Sequence, residues 1–316
     1  MRRIIIDTDP GIDDILAHLL AFASSEIQIE AMTTVSGNVS VEQTSYNALA
    51  FLEANGCRDI PVAQGSKFPL VRVPVNAAYY HGKNGVGEVI LPTPQKSVIT
   101  QSAVDVIIQK VLEAPGEIIL VALGPLTNLA LALRCEPAIA QVVQEVVIMG
   151  GALRSYGNIT PASEFNIFAD PHAAHIVLHA GWPIRLVSLD VTNKVRLRRE
   201  HVRYLRQTHS PIAQLIEDMI EYNITNFSAQ RGFDSFAIHD PLALSTVIRP
   251  DFITWEEVYV AVELEGRHTL GETVAYFPEY GISAPQLPNV RTSVHVDAEG
   301  FLQWYVERIY HYLLQK

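Results

Sequence analysis

Four aspartates, Asp7, Asp9, Asp13 and Asp14, crowd the stretch DTDPGIDD that follows the first apolar run of the chain. Carboxylates this close repel one another unless something compensates them. Pro10 biases Asp9 toward an extended backbone, and Gly11 permits a sharp turn. Asp13 and Asp14 then fall at the start of a helical pattern, where the helix dipole favours negative charge. One aspartate would suffice to cap that helix, and capping leaves Asp7 and Asp9 unexplained. A hard divalent cation, Ca²⁺ or Mg²⁺, would balance the whole group. Zinc is disfavoured, because no histidine pair or cysteine cluster accompanies the aspartates.

Two further stretches carry chemistry. In HDP (His239 to Pro241), Asp240 and Pro241 read as a helix cap and first turn, while His239 can move a proton near neutral pH. In PASEFNIFADP, Glu164 and Asn166 alternate, so an extended segment would point both toward one polyhydroxylated ligand. Surface polarity explains the same pattern.

These residues need a scaffold, and the hydrophobic pattern supplies one. Short apolar runs alternate with helical periodicity along the chain, which predicts an α/β fold with a mostly parallel open sheet flanked by helices. RIIID, IEAMTTVSGN, IPVAQG, EIILVALG, EVVIMGGAL and IRLVSLD read as strands. VYVAVEL and VRTSVHVD add two late ones. Residues 66–94 read as a long irregular loop, and residues 198–236 as a polar helical excursion over the sheet. Asp170 and Pro171 open a helix with a cap and a first-turn proline. In open α/β sheets ligands bind beyond the carboxyl ends of the strands, where DTDPGIDD, Gly37-Asn38, ALGPLTN, MGG and SLDVT all fall. No repeat or linker divides the chain, so residues 1–316 are expected to form a single domain.

Bulk properties narrow the partners. The 316 residues are 48% hydrophobic and 18% charged, with a net charge of −11. An acidic protein of this kind is a poor match for nucleic acid. The two cysteines, Cys57 and Cys135, build neither a disulfide framework nor a metal cluster, which suits a reducing, cytoplasmic location. The opening MRRIIIDTD reads as a strand rather than a leader, and no apolar run is long enough to cross a membrane.

Taken together, the motifs resemble the inosine–uridine-preferring nucleoside hydrolase family. DTDPGIDD matches its N-terminal signature. TTVSGNVSVE, HGKNGVG, GPLTNLALAL, VVIMGGAL, GNITPASEFNIFADPHAAHIV, LDVTNKV, HDPLA and VAVELEGRHTLGETV follow in order. The wording most resembles bacterial ribonucleoside hydrolases that act on both purines and pyrimidines. The resemblance implies a nucleoside hydrolase fold and Ca²⁺-dependent cleavage of the N-glycosidic bond, giving ribose and free base in nucleoside salvage. It implies metal ligation by Asp9, Asp14, Asp240 and the Leu123 carbonyl, with Asp9 also the general base. Asp13, Asn38, Asn158, Glu164 and Asn166 would hold the ribose hydroxyls, and Met149 and Phe165 would pack at the sugar. His239 would be the acid for the leaving base, and His81 would lie in a loop over it. Asp7 is left as support for the ligands. A homodimer or homotetramer is implied as well.

There are departures and rivals. The loop that often reads HGESG in the family is HGKNG here (His81 to Gly85), and residues 221–236 match poorly, leaving Tyr222, Phe227 and Phe233 as stacking candidates. DTDPG superficially resembles the Asp-x-Asp of haloacid dehalogenase-type phosphohydrolases, but their later Gly-Asp pair occurs nowhere in the chain. A calcium-stabilised binding protein would account for the carboxylates, not for their conjunction with Glu164, Asn166 and His239.

Overall fold

The computed structural model describes residues 1–316. Nine strands form one sheet: β1 (Arg2–Thr8), β2 (Ile27–Thr34), β3 (Val62–Gln64), β4 (Ile118–Ala122), β5 (Glu145–Met149), β6 (Ile184–Val187), β9 (Ile253–Val262), β10 (Thr273–Tyr276) and β11 (Val290–Val296). A separate two-stranded ribbon pairs β7 (Arg196–Arg198) with β8 (Ser235–Ala237). The sheet order is β10-β9-β11-β6-β5-β4-β1-β2-β3. From β11 to β3 the neighbours run parallel, whereas β9 pairs antiparallel with both β11 and β10. The expected mostly parallel α/β sheet is therefore what the chain builds.

The triple isoleucine of β1 shows why. A central parallel strand is covered on both faces, so it reads as a continuous apolar run. Side chains alternate across the sheet: Ile4 and Ile6 join one core, Ile5 the other, and all three are fully buried. Helices Ile12–Phe22, Val41–Ala54, His239–Ile248 and Ala298–Leu313 pack on the first face. Helices Ala103–Glu113, Thr127–Cys135 and Pro171–Leu178 cover the second. Asp170 caps the last of these, accepting from Ala173 N at 3.0 Å, as its position predicts.

Three regions differ from the sequence expectation. Residues 66–94 hold a short helix, Ala78–His81. The excursion at 198–236 is framed by the β7–β8 ribbon, and its long helix Pro211–Asn223 runs on into a π-helical turn, Ile224–Ser228. The edge strand β10 was not anticipated. Strands on the margin of a sheet are half exposed and lack the apolar run that marks a buried one.

Candidate active site

The chain folds β2 and β3 to one side of β1, then returns to lay β4 on the other. That reversal opens a crevice beyond the carboxyl ends of β1 and β4. Asp9 follows β1, Asn38 follows β2, Leu123 follows β4 and Met149 closes β5. Asp9 is wedged between two glycines, Gly37 and Gly124. A Cβ on Gly37 would overlap Asp9 Oδ2, and one on Gly124 would overlap Asp9 Oδ1. Its Oδ2 accepts from Asn38 N at 2.7 Å, while Oδ1 is buried with no hydrogen-bond partner.

Asp14 is the most heavily tethered carboxylate. It accepts from Thr8 Oγ1 (2.5 Å), Gly11 N (2.9 Å), Asp9 N (3.2 Å) and Asn38 Nδ2 (3.2 Å). It thus satisfies the backbone N–H at the start of helix Ile12–Phe22, so the capping and clustering readings both hold. Asp13 projects into the cavity with its Oδ1 4.0 Å from His81 Nε2. Of the two readings open for Asp240, helix cap and site carboxylate, the cap does not hold. The helix begins at His239 with Ile238 at the capping position, and the Asp240 carboxylate joins Asp13 and Asp14. One oxygen from each of these three lies within 4.8 Å of the others. Asp13, Asp14 and Asp240 thus form one close acidic group, and Asp9 lies near enough for its charge to be felt by them.

Burial drives the electrostatics. The Asp9, Asp13 and Asp240 carboxyls are held well above the usual carboxylate range, first by burial and then by neighbouring carboxylates, Asp14 foremost for Asp9 and Asp13, and Asp13 for Asp240. Asp14 is raised by burial despite its hydrogen bonds. Asp7 stands one layer back. Thr33 Oγ1 and Asn128 Nδ2 donate to its Oδ1 at 2.6 and 2.7 Å, and burial lifts it to about 7.

Glu164 and Asn166 meet, but not on an extended segment. Glu164 caps the short helix Phe165–Ala169, accepting from Asn166 N (2.9 Å), Ile167 N (3.2 Å) and Gly151 N (3.1 Å). The capping bonds outweigh the alternation inferred from spacing, and burial raises Glu164 to about 7. Asn166 Nδ2 donates to the carbonyls of Leu123 (2.7 Å) and Met149 (3.1 Å), bridging β4 and β5. Asn158 Oδ1 accepts from Phe165 N at 2.8 Å. Asn38 gives its Nδ2 to Asp9 O and Asp14 Oδ2, leaving Oδ1 without a partner.

Asp13, Asn38, Asn158, Glu164, Asn166 and Asp240 line one cavity of about 810 Å³, a size suited to a small ligand. His81 accepts from Ile12 N through Nδ1 (3.0 Å), so the loop carrying it is pinned to the start of the Asp13–Asp14 helix. His239 Nδ1 meets Thr192 Oγ1 at 2.8 Å. Burial pushes His81 down to about 3 and His239 to about 4, the latter also through the charge of Arg196. Both are neutral at neutral pH. Phe227 and Phe233 line the cavity, whereas Tyr222 packs against the core. Sequence reasoning passed over Tyr79, Tyr80, Arg196 and Arg231, which also line it. Arg196 lay hidden in NKVRLRR, which reads as a solvated charge run. Tyr80 had a signal in its neighbour His81.

A sequence model of the inosine-uridine preferring nucleoside hydrolases matches residues 4–303. The chain belongs to this family. Among relatives of this nucleoside hydrolase, uridine nucleosidase 1 of Arabidopsis thaliana is 42% identical over 85% of the chain and 81% of its own length. The pyrimidine-specific ribonucleoside hydrolase RihA of Citrobacter koseri is 36% identical over 98% of each. The purine-preferring ribonucleoside hydrolase from Gardnerella vaginalis superposes with a TM-score of 0.93 at 30% identity, covering 100% of both chains. The activity class is thereby fixed as hydrolysis of the ribonucleoside N-glycosidic bond. In this nucleoside hydrolase the carboxylates and the unpartnered Asp9 Oδ1 form an oxygen-rich donor set that suits a hard divalent cation. No helix is long and apolar enough to cross a membrane.

Proposed function

We propose that the protein is a Ca²⁺-dependent ribonucleoside hydrolase that releases ribose and free base from both purine and pyrimidine nucleosides in cytoplasmic salvage. The observation carrying this reading is a cavity that presents Asp13, Asp240, Glu164, Asn166 and His239, with the buried carboxylates of Asp9 and Asp14 packed behind Asp13 and Asp240. Similarity to relatives named for uridine, pyrimidine and purine substrates supports breadth toward the base. We take residues 1–316 as one catalytic domain that assembles as a homodimer or homotetramer.

Asp9, Asp14, Asp240 and the Leu123 carbonyl are the ligands we assign, and the proximity of Asp13 to Asp14 and Asp240 makes Asp13 a further donor toward the same site. A cation held by these residues would supply the positive charge that makes a water at the site more acidic. Asp9, with Oδ1 unpartnered, takes the proton from that water. Asp13, Asn158, Glu164 and Asn166 orient the ribose hydroxyls, and Asn38 contributes its free Oδ1. Met149 and Phe165 shape the sugar pocket. Cleavage builds positive charge on the sugar, and the surrounding carboxylates stabilise it. Neutral at rest, His239 would take up a proton from solvent as negative charge builds on the departing base beside it and pass that proton to the base, while His81 covers the base side.

Reducing-sugar release from inosine and uridine tests the reading. The expected result is release by the purified protein, abolished by EDTA and restored by Ca²⁺. Activity that survives exhaustive chelation would remove the cation from the scheme, and no release from any common ribonucleoside would remove the site assignment.

A further inference from the structure

One wall of the cavity has no task in this chemistry. Arg196 opens β7 and pairs with Ala237 across the ribbon. Its guanidinium is fixed in orientation: Nε donates to Ser235 Oγ and Nη2 to Ser235 O, each at 2.8 Å. The Phe233 ring stacks against it, 4.2 Å from Cζ to the ring centroid. No carboxylate pairs with it, although it is half-buried, and it faces the cavity. Nη1 makes no hydrogen bond. A guanidinium placed this way, without a counter-charge, leaves donors unsatisfied, and an acceptor on a ligand would offset that cost.

Arginine offers five N–H donors and no acceptor, so its partner must accept. The proposed ribose contacts lie on the carboxylate side, at Asp13, Asn158, Glu164 and Asn166. Arg196 instead lies near Tyr80 and His239, where its charge is felt. Tyr80 packs edge-on to Phe227 at 4.4 Å and to His81 at 4.7 Å, building an aromatic enclosure suited to a flat ring. The base is the part of a nucleoside left for this wall.

We propose that Arg196 reads the nucleobase, donating from Nη1 to the exocyclic oxygen at purine position 6 or pyrimidine position 4, and so selects oxo bases over amino bases. An amino group there would set N–H against N–H. The same contact assists the chemistry. As the C1′–N bond breaks, its electron pair moves onto the base, water supplies the hydroxyl to C1′, and a proton ends on the base nitrogen. Charge building on an oxo base spreads to the carbonyl oxygen beside the guanidinium, while charge of the opposite sign on the sugar faces the carboxylates. This inference rests on assigning the cavity to a ribonucleoside.

The test compares kcat/KM for inosine with adenosine, and for uridine with cytidine, in the Ca²⁺-loaded wild type and in Arg196→Gln. A glutamine amide both donates and accepts, so it tolerates either edge. The wild type is expected to favour the oxo member of each pair by roughly 10- to 100-fold, the scale of a hydrogen bond to a charged group. Arg196→Gln is expected to bring both ratios within about threefold of unity, chiefly by slowing the oxo substrates. Ser235→Ala, which removes one anchor but keeps the guanidinium, is expected to retain most of the preference. Arg196→Met repeats the measurement should the glutamine variant fail to fold. Equal losses on oxo and amino substrates, or an unchanged ratio, would overturn the role of Arg196 while leaving the hydrolase reading intact. A wild type that cleaves no ribonucleoside would overturn both.

Discussion

The Thr8 hydroxyl stands 2.5 Å from Asp14 Oδ1 and donates to it. On its other side His18 Nε2 lies 3.1 Å away, in a fully buried ring whose Nδ1 has no partner. Because the hydroxyl hydrogen is engaged with Asp14, His18 must present Nε2–H to the oxygen. Burial keeps the imidazole neutral, pushing it down to about 3. The pair therefore fixes how the Asp14 carboxylate points. Thr8→Val keeps the shape and deletes the bond, and it is expected to weaken Ca²⁺ binding roughly 10- to 100-fold. Calorimetric titration of the apoprotein reads this directly. Thr8→Ser should restore most of the affinity, and equal affinities for the valine variant and wild type would remove the tether from the account.

Gly124 exists where it does because Asp9 leaves no room for a side chain. A methyl group there would overlap Asp9 Oδ1, the oxygen without a protein partner. Gly124→Ala must displace either the β4 loop or the Asp9 carboxylate. Displacements near 1 Å at a reacting group carry rate losses of about 100-fold. The expected outcome is a fall of at least that size in kcat/KM for inosine, with circular dichroism unchanged. A variant with near-normal activity would show that Asp9 tolerates movement.

His239 offers a separate test of leaving-group chemistry. Its Nδ1 is held by Thr192 at 2.8 Å, and the ring lines the cavity. Removing a general acid typically slows a reaction by ~10²–10⁴-fold. His239→Ala should show that loss on inosine and uridine, yet lose less than about tenfold on a nitrophenyl riboside, whose leaving group needs no proton. Equal losses on both substrates would assign His239 to positioning instead.

Much of this arrangement was legible in the sequence, for reasons that differ by residue. Ile4, Ile5 and Ile6 announced a doubly covered strand because burial on both faces demands an unbroken apolar run. The carboxylates of DTDPGIDD announced a site because repulsion makes such a cluster untenable without a partner. Asp240 admits two local readings from sequence, since a cap and a buried site carboxylate look alike beside a proline. Glu164 and Asn166 were placed together for the wrong reason, because spacing of two is shared by a strand and by a capped helical turn. Arg196 and Thr8 carried no signal. Their roles arise from contacts that only the folded chain makes, across the β7–β8 ribbon and between β1 and the following helix.

Away from the site, Glu30 sets a pH limit on the fold itself. Its Oε1 accepts from Arg3 Nε and Gln28 Nε2, both at 2.8 Å, and Lys110 lies 3.6 Å from Oε2. The Arg3 bond chiefly holds this carboxyl below its ordinary value of 4.5. A carboxyl with a lowered folded-state pKa contributes stability that is present above the unfolded value and fades as pH falls through the folded one. The contribution is thus intact at pH 6 to 7 and disappears below about 4.5. Glu30→Gln should lower Tm by about 1–3 °C at pH 7. The gap from wild type should close as pH drops below 4.5, and high salt should narrow it at neutral pH. Thermal melts of both proteins from pH 3.5 to 7, all in EDTA so that cation binding does not contribute, measure the difference. A gap that stays constant with pH would show that Glu30 acts through packing rather than charge.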